Sequence, residues 1–146
     1  MKAANEALIV IDVQNDFCPG GALAVADGDA IIGRINGLMD AYATVVLTQD
    51  WHPGNHMSFA ANHPGAAPFS LTTMPYGRQI LWPTHCVQGT AGAAFHNALR
   101  TNPAHLVIRK GFRPEIDSYS AFFENDRTTA TGLGGYLRSR GVTAVT

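Results

Sequence analysis

The chain has 146 residues, the size of one domain with a single core. Hydrophobic residues make up 46% and charged residues 14%, which excludes a disordered chain, and a formal net charge of −1 gives no electrostatic basis for binding nucleic acid or an anionic membrane. Its two cysteines, Cys18 and Cys86, are too few for a disulfide framework and fit a reducing compartment.

The first element in chain order is the apolar run Ala7–Ile11, which ends at Asp12. It is too short and wrongly flanked for a signal peptide or a membrane span, so a soluble cytoplasmic protein is expected. Residues 28–42 place Ile31, Ile35, Leu38 and Tyr42 at three- and four-residue spacing, which predicts a helix with Asp29 as its N-cap. A second β-branched run, residues 43–47, leads to Asp50. Residues 50–104 then read as a long loop that includes Pro53, Pro64, Pro68, Pro75 and Pro83, and an ordered loop of that length is usually functional. Residues 105–108 form a third apolar run, which passes through Arg109 into Lys110. A helix ending at Gly141 precedes a fourth run, residues 142–146.

Strands alternating with helices predict an α/β fold: a three-layer α/β/α arrangement on a mostly parallel sheet, Rossmann-like in plan. The fourth strand runs to Thr146 with no helix after it to cover one face. The expectation is therefore a single α/β domain, residues 1–146, whose sheet is cut after the fourth strand and whose C-terminal part is missing.

In open α/β sheets, ligands bind beyond the carboxyl ends of the strands. Here successive strands deliver Asp12, Asp50 and Lys110 to that edge. Asp50 and His52 lie two residues apart just after a strand, and His56 is close enough to join or flank them. His85, in the segment Leu81-Trp-Pro-Thr-His-Cys86, supplies a second imidazole. One carboxylate and two imidazoles leave coordination positions open, as in a catalytic site for zinc, iron or manganese. The competing reading is a set of surface loop histidines without a metal; His63 belongs to the cluster least convincingly. Asp12 beside Lys110 is either a plain structural salt bridge or a pair that deprotonates a nucleophile and stabilises the anion. No nucleophile is evident. Cys86 adjoins His85, but sequence neighbours seldom point at each other, Cys18 reads as packing beside Phe17, and Ser118 and Ser120 carry no nucleophile-elbow signature.

The segments Ile9-Val-Ile-Asp-Val-Gln-Asn-Asp-Phe17 with Gly20-Gly21, Gln49-Asp-Trp-His-Pro53, Trp82-Pro-Thr-His-Cys86-Val-Gln88, Lys110-Gly111 and Asp117-Ser-Tyr-Ser-Ala-Phe122 occur in an order that resembles the nicotinamidases, or pyrazinamidases, of the isochorismatase-like cysteine hydrolases. The resemblance spans residues 8 to about 146. It implies that Asp12 and Lys110 are two members of a catalytic triad, and that Asp50, His52 and His85 bind a divalent metal, zinc first and iron or manganese next. His56 would be a ligand or a neighbour of one. Phe17 and Trp82 would line the slot for a pyridine ring, with Tyr119 near its mouth. The implied reaction converts nicotinamide to nicotinate in NAD salvage through a cysteine thioester, the ring nitrogen facing the metal. The implied partner is this small molecule, with no nucleic acid or membrane and a homo-oligomer permitted. The family's nucleophilic cysteine follows the fourth strand and would lie beyond Thr146. Two alternatives remain open: another hydrolase of the superfamily, an isochorismatase or a ureido-acid amidohydrolase, or a non-catalytic metal- or nicotinamide-binding fragment.

Overall fold

The computed structural model describes residues 3–146. In chain order the elements are β1 (Ala3–Val10), α1 (Ile32–Met39), β2 (Tyr42–Asp50), β3 (Leu71–Met74), β4 (Gly77–Ile80), β5 (Leu106–Lys110), α2 (Leu133–Ser139) and β6 (Ala144–Val145). The main sheet has four strands in the order β5-β2-β1-β6, all parallel.

Side chains alternate between the two faces of this sheet, and the register separates two cores. Leu8 and Val10 of β1 pair with Val45 and Leu47 of β2, and these four residues pack against Ile32 and Met39 of α1. The intervening Ala7 and Val46 face the other way, against Leu133 and Leu137 of α2. One helix therefore covers each face, the three-layer arrangement expected. This is why the central strands β1 and β2 read as continuous apolar runs: both of their faces are covered. No helix among the described residues is long and apolar enough to cross a membrane.

The elements differ from expectation mainly at their ends. Strand β2 continues to Asp50 because its ladder with β5 runs on through Gln49↔Arg109 and Asp50↔Lys110. Helix α1 is shorter than residues 28–42. Asp29 gives Ile32 only its backbone carbonyl (3.1 Å), Ile31 is the N-cap residue and is exposed, and Tyr42 belongs to β2. The preceding turn is held elsewhere: Val25 N–H donates to Phe17 O (3.0 Å), and a side chain at Gly28 would meet that same carbonyl at 2.9 Å. Gly141 ends α2 as expected, with φ +68° and its N–H on Arg138 O (3.0 Å). The fourth strand is short, but Thr146 N–H donates to Ala7 O and Ile9 N–H to Thr146 O (both 2.9 Å), which carries the pairing to the last residue.

The expected loop of residues 50–104 contains the antiparallel hairpin β3–β4, with Leu71 opposite Ile80 and Met74 opposite Gly77. It escaped the sequence reading because Leu-Thr-Thr-Met and Gly-Arg-Gln-Ile contain no apolar run and, with half of their residues exposed, have no buried face to mark them.

Candidate active site

The three strand-end residues meet. Asp12 follows β1 in a left-handed conformation (φ +48°), held by Thr48 of the neighbouring strand. The Asp12 N–H donates to Thr48 Oγ1 (3.0 Å), and the Thr48 hydroxyl donates back to Asp12 Oδ1 (2.6 Å). Lys110 is 4% exposed, and its ammonium donates to Asp12 Oδ2 (2.8 Å), Asp50 Oδ1 (2.5 Å) and Ser118 O (3.1 Å). All three of its hydrogens are used. Burial works against the Lys110 ammonium, but Asp50 and Asp12 outweigh it and hold the group protonated above the ordinary lysine range. Burial raises the Asp12 carboxyl above its ordinary value, against the opposing pull of Lys110. At Asp50 burial also pushes upward, but His52, His85 and Lys110 outweigh it and hold the carboxyl well below the usual range. Arg109, the other cation at the end of β5, turns away: it lies over the Trp51 ring (3.8 Å to the centroid) and donates to Gln49 Oε1.

Asp50 divides its two oxygens between tasks. Oδ1 takes Lys110, while Oδ2 faces His52 Nε2 (3.5 Å) and His85 Nε2 (3.7 Å). His52 Nδ1 lies 2.8 Å from Gly111 O, and His85 Nδ1 lies 2.7 Å from Pro83 O. A carbonyl can only accept, so each Nδ1 carries a hydrogen and each Nε2 is the ring atom left facing Asp50. Three candidate ligand atoms converge at distances too long for good hydrogen bonds, and those of Asp50, His52 and His85 all lie within 4.8 Å of one another. A divalent cation satisfies such a donor set, and carbonyl-anchored imidazoles are the usual support of a metal site. The residues fit the metal. Gly111 is part of this support: its φ is +64°, and a Cβ there would sit 2.4 Å from His52 Cε1.

Gln14 holds Asp50 from the opposite side. Its amide accepts from Asp50 N–H and donates to Asp50 O (both 2.8 Å), continuing the β-ladder with a side chain where β1 has ended. It lies within the Ile9–Phe17 segment, but a glutamine after a strand carries no signal of that role by itself. The other unforeseen residue is Asp117, which is buried and forms a second group of candidate donors with His52 and His56. His56 stands beside the converging trio. Its Nδ1 accepts from Ser58 N–H (3.1 Å) and contacts Ser58 Oγ (2.8 Å), while Nε2 faces Ile116 O (3.3 Å). His63 is outside the cluster, bonded to Met57 O (2.7 Å).

Asp12, Asp50, His52, His85, Lys110 and Asp117 line one cavity of about 220 Å³, whose remaining walls are Phe17, Leu23, Trp82 and Tyr119. That is smaller than a drug-sized site of roughly 300–1,000 Å³ and suits a single ring with a short substituent. Larger hollows, such as the one of about 750 Å³ between Tyr76 and Arg127, hold no such set of titratable groups. Neither cysteine lines this cavity. Cys86 is fully buried, its thiol pushed far up by burial and by Asp50, Asp16 and Asp12, and Cys18 is raised by burial and Asp29.

A parallel three-layer sheet with an Asp–Lys pair and a carboxylate–imidazole trio at its carboxyl edge defines a class of α/β hydrolytic domains. The isochorismatase domain family matches residues 6–146, and the chain belongs to that family. It is 60% identical to the nicotinamidase of Acinetobacter baylyi, an alignment covering 99% of this chain and 68% of that protein. Among solved structures, the nicotinamidase/pyrazinamidase of Acinetobacter baumanii superposes with a TM-score of 0.97 at 59% identity, covering 99% of this chain and 70% of the other. The pyrazinamidase of Pyrococcus horikoshii, in complex with zinc, gives a TM-score of 0.70 at 37% identity, over 97% of this chain and 68% of that one.

Proposed function

We propose that this chain carries the metal centre and two of the three catalytic residues of a cytoplasmic nicotinamidase. The enzyme hydrolyses nicotinamide to nicotinate and ammonia, and pyrazinamide to pyrazinoate, in NAD salvage. The observation that carries this reading is the meeting of two sets in one cavity. Asp50 joins them: it belongs to the Asp50–His52–His85 trio and binds Lys110 of the Asp12–Lys110 pair.

The residues divide the work as follows. Asp12, its carboxyl raised by burial, accepts the proton of a thiol. Lys110 stays protonated and stabilises the resulting anions. A thiolate attacks the carboxamide carbon, ammonia leaves, and water hydrolyses the thioester. On the family's pattern the thiol belongs to a cysteine following β6, beyond Thr146, so residues 1–146 are one part of a longer hydrolase domain. Both cysteines of this sequence being buried with raised thiols supports that placement. Phe17, Trp82 and Tyr119 hold the flat ring. Asp50, His52 and His85 would hold the metal, zinc by analogy with the Pyrococcus relative, and it would supply a Lewis acid for orienting the substrate. His56 would add a fourth ligand by giving up a present contact, Ser58 at Nδ1 or the Ile116 carbonyl at Nε2.

The test is ammonia release from nicotinamide by the full-length protein, with its metal content measured on the same sample. We expect turnover with one zinc per chain, and loss of both in Asp50→Ala and His52→Ala. Turnover by a metal-free sample would overturn the ligand assignment. Activity untouched in the two variants would favour a different hydrolase of the family.

A further inference from the structure

The β3–β4 hairpin supplies no lining residue to the cavity, yet it carries a buried glutamine, Gln79, 1% exposed. Its side-chain amide is satisfied on every side. Nε2 donates to Ile80 O (2.7 Å) and Tyr119 Oη (2.7 Å), with Asp117 Oδ2 at 3.3 Å. Oε1 accepts from the Tyr76 hydroxyl (3.0 Å) and Asn125 Nδ2 (3.2 Å). The amide cannot be turned over, because that would aim its oxygen at a carbonyl and a carboxylate and its NH2 at the amide of Asn125.

This orientation fixes the role of the Tyr119 hydroxyl. Gln79 Nε2 can only donate, and so can the indole nitrogen of Trp82, which lies 3.2 Å from the same oxygen. The Tyr119 oxygen therefore accepts two hydrogen bonds and ties both rings to the hairpin. Tyr119 needs such a tie: it is 54% exposed, and the Trp82 and Tyr119 rings meet edge-on with centroids 6.1 Å apart. Asn125 adds a further constraint, its Oδ1 accepting from the Tyr119 backbone N–H (3.0 Å).

We propose that Gln79 is a positioning residue that sets the aromatic wall of the substrate slot, acting through the Tyr119 hydroxyl on both Tyr119 and Trp82. It rests on the reading of the cavity as a slot for a pyridine carboxamide. Gln79 reaches no reacting atom, so its effect falls on ring binding and leaves the chemical step alone. A hairpin outside the parallel sheet thereby becomes a determinant of which rings the slot admits.

The experiment compares Gln79→Leu, Tyr119→Phe and the double variant in the full-length, metal-loaded protein. KM for nicotinamide should rise roughly 2- to 10-fold in each single variant, the range of one or two neutral hydrogen bonds, with kcat within about 2-fold of the parent. The double variant should lose no more than Tyr119→Phe alone, since both act through one oxygen. The dissociation constant for nicotinate, measured by calorimetry, should rise by the same factor. The bicyclic quinoline-3-carboxamide should gain in kcat/KM relative to nicotinamide. An unchanged KM in Tyr119→Phe, losses that multiply in the double variant, or a fall in kcat alone would overturn the proposal. Tyr119→Phe keeps the test decisive if Gln79→Leu does not fold. A parent that binds nicotinate without hydrolysing nicotinamide would sink the hydrolase reading while the wall is still read by calorimetry. A parent that does neither sinks both.

Discussion

Asp50 is the residue on which the candidate site turns, because its two oxygens face two different groups. Oδ1 is tied to Lys110, and through it to Asp12, while Oδ2 looks at the two imidazoles. Lys110→Ala therefore removes the shared cation from two buried carboxylates. We expect a stability loss of about 3–5 kcal/mol by chemical denaturation, the cost of breaking a buried pair, together with lost turnover. Asp12 allows a test with a definite sign. A general base must be ionised, so activity rises with pH through the Asp12 titration, and burial places that limb above the roughly 3.9 of an ordinary aspartate. The Thr48 hydroxyl opposes this by bonding the carboxylate. Thr48→Val should move the acid limb of kcat/KM further up, and an unmoved limb would exclude Asp12 as the base. At Gly111, a methyl group would press on His52. Gly111→Ala should weaken metal binding roughly 10- to 100-fold in a chelator competition, as losses of ligand support typically do.

At the scale of elements, the sheet register does the assembling. The Asp50↔Lys110 pairing puts the carboxylate and the ammonium side by side, and the β1–β2 ladder brings Asp12 to Thr48. The helices contribute by packing and supply no chemistry. Leu133 of α2 is fully buried against Ala7 and Val46, so Leu133→Ala should cost about 2–5 kcal/mol in equilibrium unfolding, with metal affinity unchanged. The strands were legible in the sequence because they read as unbroken β-branched runs, which burial on both faces imposes on the central pair β1 and β2. The β3–β4 hairpin was not, since a short two-stranded ribbon lying on the loops needs no such run. Its importance through Gln79 comes from polar contacts, which leave no periodicity behind. The start of α1 was misplaced for a related reason: Ile31 keeps helical spacing with Ile35, yet tertiary contacts of the preceding turn hold it outside the helix.

Across the whole molecule, the candidate metal ligands join segments that backbone hydrogen bonds already bring together, His52 N–H to Cys86 O (3.0 Å) and Trp51 N–H to Lys110 O (2.9 Å). Asp50 and His52 lie at the end of β2, His85 in the loop after β4, and the carbonyl that orients His52 just after β5. An ion bound only by the folded state stabilises it by mass action, about 2.7 kcal/mol at a free concentration one hundred times the dissociation constant. Removing the metal with a chelator should lower the melting temperature in calorimetry, and zinc should restore it. Indifference to the chelator would argue against the Asp50–His52–His85 assignment.

The sequence by itself determined the fold class, the strand-end positions of Asp12, Asp50 and Lys110, and the residue types of a metal site, because these follow from local hydrophobic pattern and short spacing. Only the tertiary structure decided that Lys110 serves both carboxylates and that Gln14, Gly111 and Asp117 belong to the site. It also separated His85 from its neighbour Cys86 and set the Gln79 amide on the Tyr119 hydroxyl. Each of these is a contact between residues far apart in the chain, created by strand register and loop packing, and chain order alone carries no record of such contacts.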